Sequence, residues 1–147
     1  MELWELEARE EIRETLARYA HAADSGRFDD LASLFATDGV LEVRGEPPLA
    51  GRNAIREFLV DVGNALEDST EVPLIRHHVT SVSIDVISRD EARAACYFIA
   101  ITGDGVDHWG RYRDHFVVED GRWVFAHRRA RTDGTTPGGW AAGRVPD

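Results

Sequence analysis

The sequence predicts an α+β fold in which three helices precede a curved, mostly antiparallel sheet. Apolar residues follow helical spacing up to about Val62, whereas β-branched and aromatic residues dominate from Leu74 onward. Helices followed by consecutive strands are typical of α+β domains. We therefore expect a cone-shaped α+β barrel, with the sheet wrapped on the three N-terminal helices and a ligand-sized space between the layers.

The helices are predicted in the N-terminal half. From Leu3 to Ala23, apolar residues recur every three or four positions and predict one buried helical face. Ser25-Gly26 ends this helix, and a second, short helix ends at Thr37-Asp38-Gly39. The segment Val40 to Val43 is typical of a short strand, and Asn53 of the cap of a third helix.

Four strands are predicted in the C-terminal half, and short connections between them indicate an antiparallel meander. In the last connection, Asp120-Gly121 suits the positive φ angles of a tight turn. We expect a single domain over residues 1–131 and a Gly- and Pro-rich C-terminal tail over residues 132–147. The predicted strands span Leu74 to Ile87, Ala92 to Thr102, His108 to Glu119 and Arg122 to Arg131.

The composition indicates a single domain and disfavours several kinds of partner. The chain has 147 residues, 43% of them hydrophobic, which is enough for one compact core. Its net charge of -10 disfavours nucleic acid and anionic membrane surfaces as partners. Cys96 is the only cysteine, and the N-terminal stretch is acidic and interrupted by charge, unlike a secretory signal. We expect a soluble, cytoplasmic protein with no membrane partner.

Asp24 and His77 are the residues that we expect to carry chemistry. Asp24 closes the first helix and His77 opens the first long strand, so each places a polar group at the end of an apolar element. If they meet, one ring nitrogen of His77 donates to the carboxylate and the other is a base that removes a proton next to a carbonyl. The alternative for each residue is structural, a helix-ending Asp and a half-buried strand His.

Strand alternation favours the neighbouring histidine. His77 shares its strand face with Ser81 and Asp85, whereas His78 shares its face with Val82 and Ile84. Because the second face is more apolar, alternation favours His78 as the residue that faces the interior, unless a β-bulge intervenes. Both interpretations stay open from the residues alone.

Other side chains are predicted to bind the substrate. Tyr19 and Tyr112 each carry a hydroxyl that can donate to a substrate oxygen. Asp114 shares a strand face with Tyr112, and a structural pair with Arg128 or His127 on the next strand is the alternative for it. The predicted substrate-binding set is Tyr19, Phe58, His78, Tyr112 and Asp114.

We expect no metal and no cofactor. The six histidines show no zinc-like spacing, and the chain has no glycine-rich nucleotide loop and no Gly-x-Ser-x-Gly elbow. Aromatic residues on the sheet, including Tyr97 and Trp109, are expected in the core or at a subunit interface. An exposed aromatic sheet surface predicts a homodimer or homotrimer.

Several short motifs resemble those of one known superfamily. They are Tyr19 followed by Asp24, Leu34 to Gly39, Gly51 with Ala54-Ile55 and Phe58, His77 to Ser81, and Gly110 to Tyr112 with Asp120 to Trp123. From about Glu10 to Arg129 the chain resembles the SnoaL-like branch of the nuclear transport factor two-like superfamily, which is similar to scytalone dehydratase, bile-acid dehydratase and hexachlorocyclohexane dehydrochlorinase. The resemblance implies a catalytic dyad at Asp24 and His77, and so favours His77 over His78.

The resemblance also implies a cofactor-independent lyase or isomerase, dehydratase-like, that acts on a small apolar cyclic or polyketide-like substrate. Val43 and Gly110 stand where the scytalone dehydratase-like pattern has polar side chains, which implies a different substrate. One alternative is a non-catalytic small-molecule-binding or assembly module with the same fold. Another is an epoxide hydrolase, which would need several polar groups to hold a water.

Overall fold

The computed structural model describes residues 1–67 and 74–146, and in this part of the chain three helices pack on one six-stranded sheet. The predicted α+β class is confirmed. The helices are α1 (Leu3–Asp24), α2 (Phe28–Ala32) and α3 (Arg52–Glu67). The strands are β1 (Phe35–Val43), β2 (Leu49–Ala50), β3 (Arg76–Val86), β4 (Glu91–Thr102), β5 (Gly105–Glu119) and β6 (Arg122–Thr135).

The sheet has the strand order β2-β1-β6-β5-β4-β3 and is antiparallel except for the parallel pair β1 and β6. The predicted meander from β3 to β6 is confirmed. The sheet is not closed into a barrel, which corrects that part of the expected architecture. Closure requires every strand to pair on both sides, but β2 is only two residues long and pairs with β1 alone in the described residues.

Helix α1 lies across the sheet and buries the predicted apolar face. Ile12 and Leu16 are almost fully buried, and a large apolar side chain buried in this way stabilises the fold by roughly 1.5–3 kcal/mol. At one end of the sheet, Arg9 donates to the carbonyl of Ile84 on β3. Thr15 donates to the carbonyl of Trp123 on β6. These contacts fix the helix so that its C-terminal end lies beside the beginning of β3.

A β-bulge in β3 explains why alternation favoured the wrong histidine. Ser81 has a φ of 53°, and the pairing of β3 with β4 shifts at this point. Before the bulge, the odd-numbered His77 and Val79 face the interior, whereas after it the even-numbered Ile84 does. The bulge therefore lets His77 and the apolar residues share one face, and His78 is exposed on the other.

Two predicted boundaries are wrong because tertiary pairing overrides local signals. Strand β1 begins at Phe35, so Thr37-Asp38-Gly39 lies within a strand instead of ending a helix. The N–H of Phe125 donates to the carbonyl just before Phe35, which ties this segment to β6. Asn53 lies inside the first turn of α3 and is not its cap. By contrast, the predicted Asp120-Gly121 turn has the expected φ angles of 52° and 74°.

The segment after the predicted strand end at Arg131 continues strand β6 and then contacts β5. Strand β6 continues to Thr135, and the backbone N–H groups of Trp140 and Ala141 donate to Asp107 on β5. Residue 147 lies outside the described residues. The expected single domain over residues 1–131 stays a prediction.

The outer face of the sheet exposes two of the predicted interface aromatics. Tyr97 is 58% exposed and Trp109 is 40% exposed. The homodimer or homotrimer stays a prediction. Among the helices of the described residues, we find none with the length and apolar character that crossing a bilayer demands.

Candidate active site

Asp24 and His77 are in direct contact at the junction of α1 and β3. The Nδ1 atom of His77 lies 2.6 Å from Oδ1 of Asp24, and the backbone N–H of His77 donates to Oδ2 at 2.9 Å. Both oxygens of the Asp24 carboxylate therefore bind His77, one through the ring and the other through the backbone. The contact orients the ring and also holds the start of β3. The side chain of Asp24 is 10% exposed and that of His77 is 23% exposed, so solvent reaches the histidine more easily.

A second histidine, His108, faces His77 across the sheet. On β4, Ala100 is the pairing partner of His77 on one side and of His108 on the other. Because Ala100 is small and fully buried, the two imidazole rings meet above it, edge to face with their centroids 6.0 Å apart. Phe98 lies 6.1 Å from His77 and 5.9 Å from His108, so it forms an aromatic wall beside both rings.

His108 has a carboxylate partner of its own. Its Nδ1 atom lies 2.7 Å from Oδ2 of Asp107, and the two side chains are 11% and 2% exposed. Burial alone would raise the pKa of Asp107, but the hydrogen bonds that it accepts from His108 and from two backbone N–H groups hold that pKa below its usual value. Burial lowers the pKa of His108 below 6.5, although Asp107 opposes this, and the His77 ring lowers it further.

These contacts assign the same tautomer to both histidines. A carboxylate only accepts hydrogen bonds, so the Nδ1 atoms of His77 and His108 carry the proton that each pair shares. In the neutral ring, Nε2 then has a free lone pair. The site can therefore hold two neutral imidazoles, each able to accept a proton or a hydrogen bond at Nε2.

Next to the histidines, the interior holds a cluster of aromatic rings around a buried charge pair. Tyr112 stacks on Phe98 at 4.7 Å, and Tyr19 meets Tyr112 edge to face at 6.0 Å. The guanidinium of Arg128 lies over both tyrosine rings, at 3.5 Å from Tyr112 and 4.1 Å from Tyr19. Burial raises the pKa of each tyrosine, so both hydroxyls stay protonated and can donate.

The family model of the SnoaL-like domain matches residues 4–129 of the chain. The chain belongs to the SnoaL-like domain family. Within the nuclear transport factor two-like superfamily, this SnoaL-like chain is similar to an NTF2-like protein with a cystatin-like fold from Novosphingobium aromaticivorans, with 28% identity, a TM-score of 0.74, and coverage of 97% of this chain and 90% of the other.

Two further solved structures are similar to the SnoaL-like chain. A candidate scytalone dehydratase from Novosphingobium aromaticivorans shares 27% identity with a TM-score of 0.77, covering 90% of this chain and 89% of the other. A Catenulispora acidiphila protein in complex with S-DNPA shares 31% identity with a TM-score of 0.72, covering 87% of this chain and 95% of the other. No curated protein sequence matches this chain significantly.

The predicted substrate-binding residues of this SnoaL-like chain take different positions. Tyr112 stacks on Phe98, which in turn contacts His77, and Tyr19 contacts Tyr112. His78 is exposed on the opposite face of β3, away from the dyad. Phe58 is half-buried on α3, whereas the rings beside His77 are those of Phe98 and His108.

Asp114 pairs with Arg128, as the structural alternative from the sequence proposed. The Nε atom of Arg128 lies 3.0 Å from Oδ1 of Asp114, and both side chains are fully buried. Nη1 of Arg128 has no hydrogen-bond partner in the described part of the chain. The carboxylate of Asp114 is therefore already occupied by a cation, which favours a structural role over substrate contact.

His108 and Asp107 were not among the site residues predicted from the sequence. A signal for His108 was present, because it shares alternation with Gly110 and Tyr112 on the interior face of β5. Asp107 gave no such signal, since a bulge between β4 and β5 turns two consecutive residues inward.

Gly110 allows close packing beside the site because it has no side chain. A Cβ at this position would lie 2.1 Å from the carbonyl oxygen of Arg131 and 2.7 Å from Phe98.

Proposed function

We propose that this chain is a cofactor-independent lyase of the dehydratase type, in which His77 removes a proton from a small apolar cyclic or polyketide-like substrate. The contact between His77 and Asp24 is the observation that carries the proposal. The Asp24 carboxylate accepts a hydrogen bond from Nδ1–H, so Nε2 is the basic atom. The same carboxylate stabilises the imidazolium that forms. An isomerase would share this first step.

The proposed elimination needs one proton carrier. Nε2 of His77 takes a proton from the carbon next to a carbonyl, and the electron pair of that C–H bond forms an enolate. The enolate then forms the C=C bond as the C–O bond to the leaving hydroxyl breaks. His77 returns the same proton to that hydroxyl, so water leaves and the imidazole is neutral again.

His108 supports this cycle as a hydrogen-bond acceptor. Its neutral ring lies 6.0 Å from His77, so it adds no positive charge beside the imidazolium. With Nδ1–H committed to Asp107, Nε2 of His108 can accept a hydrogen bond from the substrate hydroxyl or from the departing water. The aromatic wall of Phe98 suits an apolar, ring-containing substrate.

The similar structures support a small organic ligand. The Novosphingobium relative is named as a candidate scytalone dehydratase, and the Catenulispora relative was solved with S-DNPA bound. Each shares less than a third of its residues with this chain, so the substrate of this chain has to be identified by experiment. Candidate ligands can be found by thermal stabilisation with hydroxy-ketones, steroids and aromatic polyketides, since a ligand raises the apparent stability with ln(1+[L]/Kd).

The test is turnover and proton exchange of such a ligand, read by mass spectrometry as loss of water and as deuterium uptake from D2O. We expect His77→Gln to lower the rate on the order of 10²–10⁴-fold, because the base is lost. Asp24→Asn should lower the rate and still bind the ligand. His78→Gln is the matched control, since this neighbouring histidine is exposed on the other face, and it should leave the rate unchanged.

Two outcomes would reject the enzymatic proposal. One is a wild-type protein that binds a ligand selectively but neither eliminates water from it nor exchanges its protons, which would support the non-catalytic binding module. The other is a His77→Gln variant as active as the wild type.

A further inference from the structure

Asp107 lies where the pairing of β4 and β5 is irregular. Ala100 pairs with His108 and Ile101 pairs with Val106, so Asp107 is the extra residue of a bulge. Asp107 and His108 are consecutive, and both residues are buried. A buried carboxylate at the rim of a sheet is costly unless hydrogen bonds satisfy it.

The C-terminal turn supplies those hydrogen bonds. The backbone N–H of Trp140 donates to Oδ1 of Asp107 at 2.6 Å, and that of Ala141 donates to Oδ2 at 3.2 Å. The N–H of Thr136 donates to the backbone carbonyl of Asp107 at 2.8 Å. The fit is close: a Cβ on Gly139 would lie 2.7 Å from Oδ1. One residue thus holds the turn at three points and also holds His108.

The same hydrogen bonds bring Trp140 to the two-histidine site. Its ring centroid lies 6.5 Å from that of His108, and the indole packs against the buried cluster of Ile75 and Ala100. The Trp140 ring therefore borders His108 next to the buried Ala100 that separates the two imidazoles. Loss of the Asp107 carboxylate would release both the turn and the ring of His108.

We propose that Asp107 is a positioning residue that fixes the Nδ1–H tautomer of His108 and binds the C-terminal turn beside it. Asp107 affects the substrate indirectly, by orienting His108 and by holding the Trp140 ring in place. Its role in turnover rests on the proposed function, whereas its effect on the imidazole and on the turn does not.

The test compares Asp107→Asn with Asp104→Asn, an exposed aspartate on the turn before the same strand. In Asp107→Asn, the imidazole nitrogen resonances of His108 should change from the pure Nδ1–H pattern, and the amides of Trp140 and Ala141 should exchange with D2O at least about tenfold faster. Asp104→Asn should change neither. Both readouts need no substrate, so a failure of the proposed function leaves them interpretable.

Gly139→Ala is the second variant, for the case in which Asp107→Asn does not fold. Its methyl group should displace the turn from Oδ1, so amide exchange rises while His108 keeps its Nδ1–H signal. In the catalytic assay, Asp107→Asn should lower kcat by about 10- to 100-fold with a smaller change in KM, as for carboxylates that orient metal-bound imidazoles. The proposal fails if Asp107→Asn leaves the His108 tautomer and both amides as in the wild type, or if Gly139→Ala leaves both amides protected.

Discussion

In the described part of the chain, two histidines bind a carboxylate through Nδ1, and the two pairs form in different ways. Asp24 and His77 are 53 positions apart in sequence, and the packing of α1 on β3 brings them together. Asp107 and His108 are adjacent, and a bulge turns both side chains inward. The first pair was predictable because each member ends an apolar element and because the chain resembles a known superfamily. The second depends on a local irregularity of the sheet that no residue type signals.

The buried pair of Asp114 and Arg128 is expected to have a large effect on stability. Both side chains have no exposure, so removing one partner leaves an uncompensated charge in the interior. We expect Asp114→Ala to lower the free energy of unfolding by about 3–5 kcal/mol, measured by urea denaturation. The double variant Asp114→Ala/Arg128→Met should recover part of this loss, because no charge is then buried alone.

The matched control for this pair is Arg129→Met. Arg129 binds Glu42 on the surface, where its side chain is 58% exposed, and such pairs contribute about 0–1 kcal/mol. A double variant less stable than Asp114→Ala alone would contradict the interpretation that the isolated charge causes the loss.

At the scale of elements, the bulge in β3 has the greatest consequence for the site. Alternation assigns one face to a strand only while the strand is regular, and the irregular residue here is Ser81, which is neither Gly nor Asn. The sequence therefore predicted the strand but not which histidine faces inward. The antiparallel pairing with β4 fixes the bulge, because the register before and after it is set by separate hydrogen-bonded segments.

Substitution at Ser81 tests this interpretation of β3. A β-branched side chain is poorly accommodated at a φ of 53°, so Ser81→Val should lower the free energy of unfolding by about 1–2 kcal/mol in urea denaturation. Ser81→Gly should stay within about 1 kcal/mol of the wild type, since glycine adopts this conformation freely but loses more entropy on folding. Ser83→Val, on the exposed face of the same strand, is the control. Equal stability of Ser81→Val and Ser83→Val would argue against a strained bulge.

At the scale of the whole molecule, the sheet has an interior face that carries the site and an outer face that is open in this structure. The interior face combines apolar side chains with ionisable groups, among them the half-buried His77 and the buried His108, each bound to a carboxylate. The net charge of -10 follows from composition alone. Because burial lowers the pKa of His108 in the folded protein, the stability of the whole domain depends on pH.

The sign of this dependence follows from the lowered pKa of His108. Below about 6.5, the unfolded chain binds a proton at this residue before the folded protein does, so stability is lost as the pH falls from 6.5 through the lower pKa of the folded state. We expect urea denaturation between pH 7.5 and 5 to show a shallower decline in His108→Asn than in the wild type. His78→Gln, which replaces an exposed histidine, should keep the slope of the wild type. Parallel slopes for wild type and His108→Asn would contradict the prediction.

The sequence by itself determined the fold class, the three helices, the meander of four strands and the resemblance to the SnoaL-like family, because these follow from periodicity, composition and motifs along the chain. It named Asp24 as one member of a candidate pair and left His77 and His78 as alternatives for the other. Only the tertiary structure decided that the sheet stays open, that His77 and not His78 faces inward, and that Asp107 and His108 join the site. The physical reason is that bulges and strand register arise from hydrogen bonds between distant segments, and each shift of one residue exchanges the two faces of a strand.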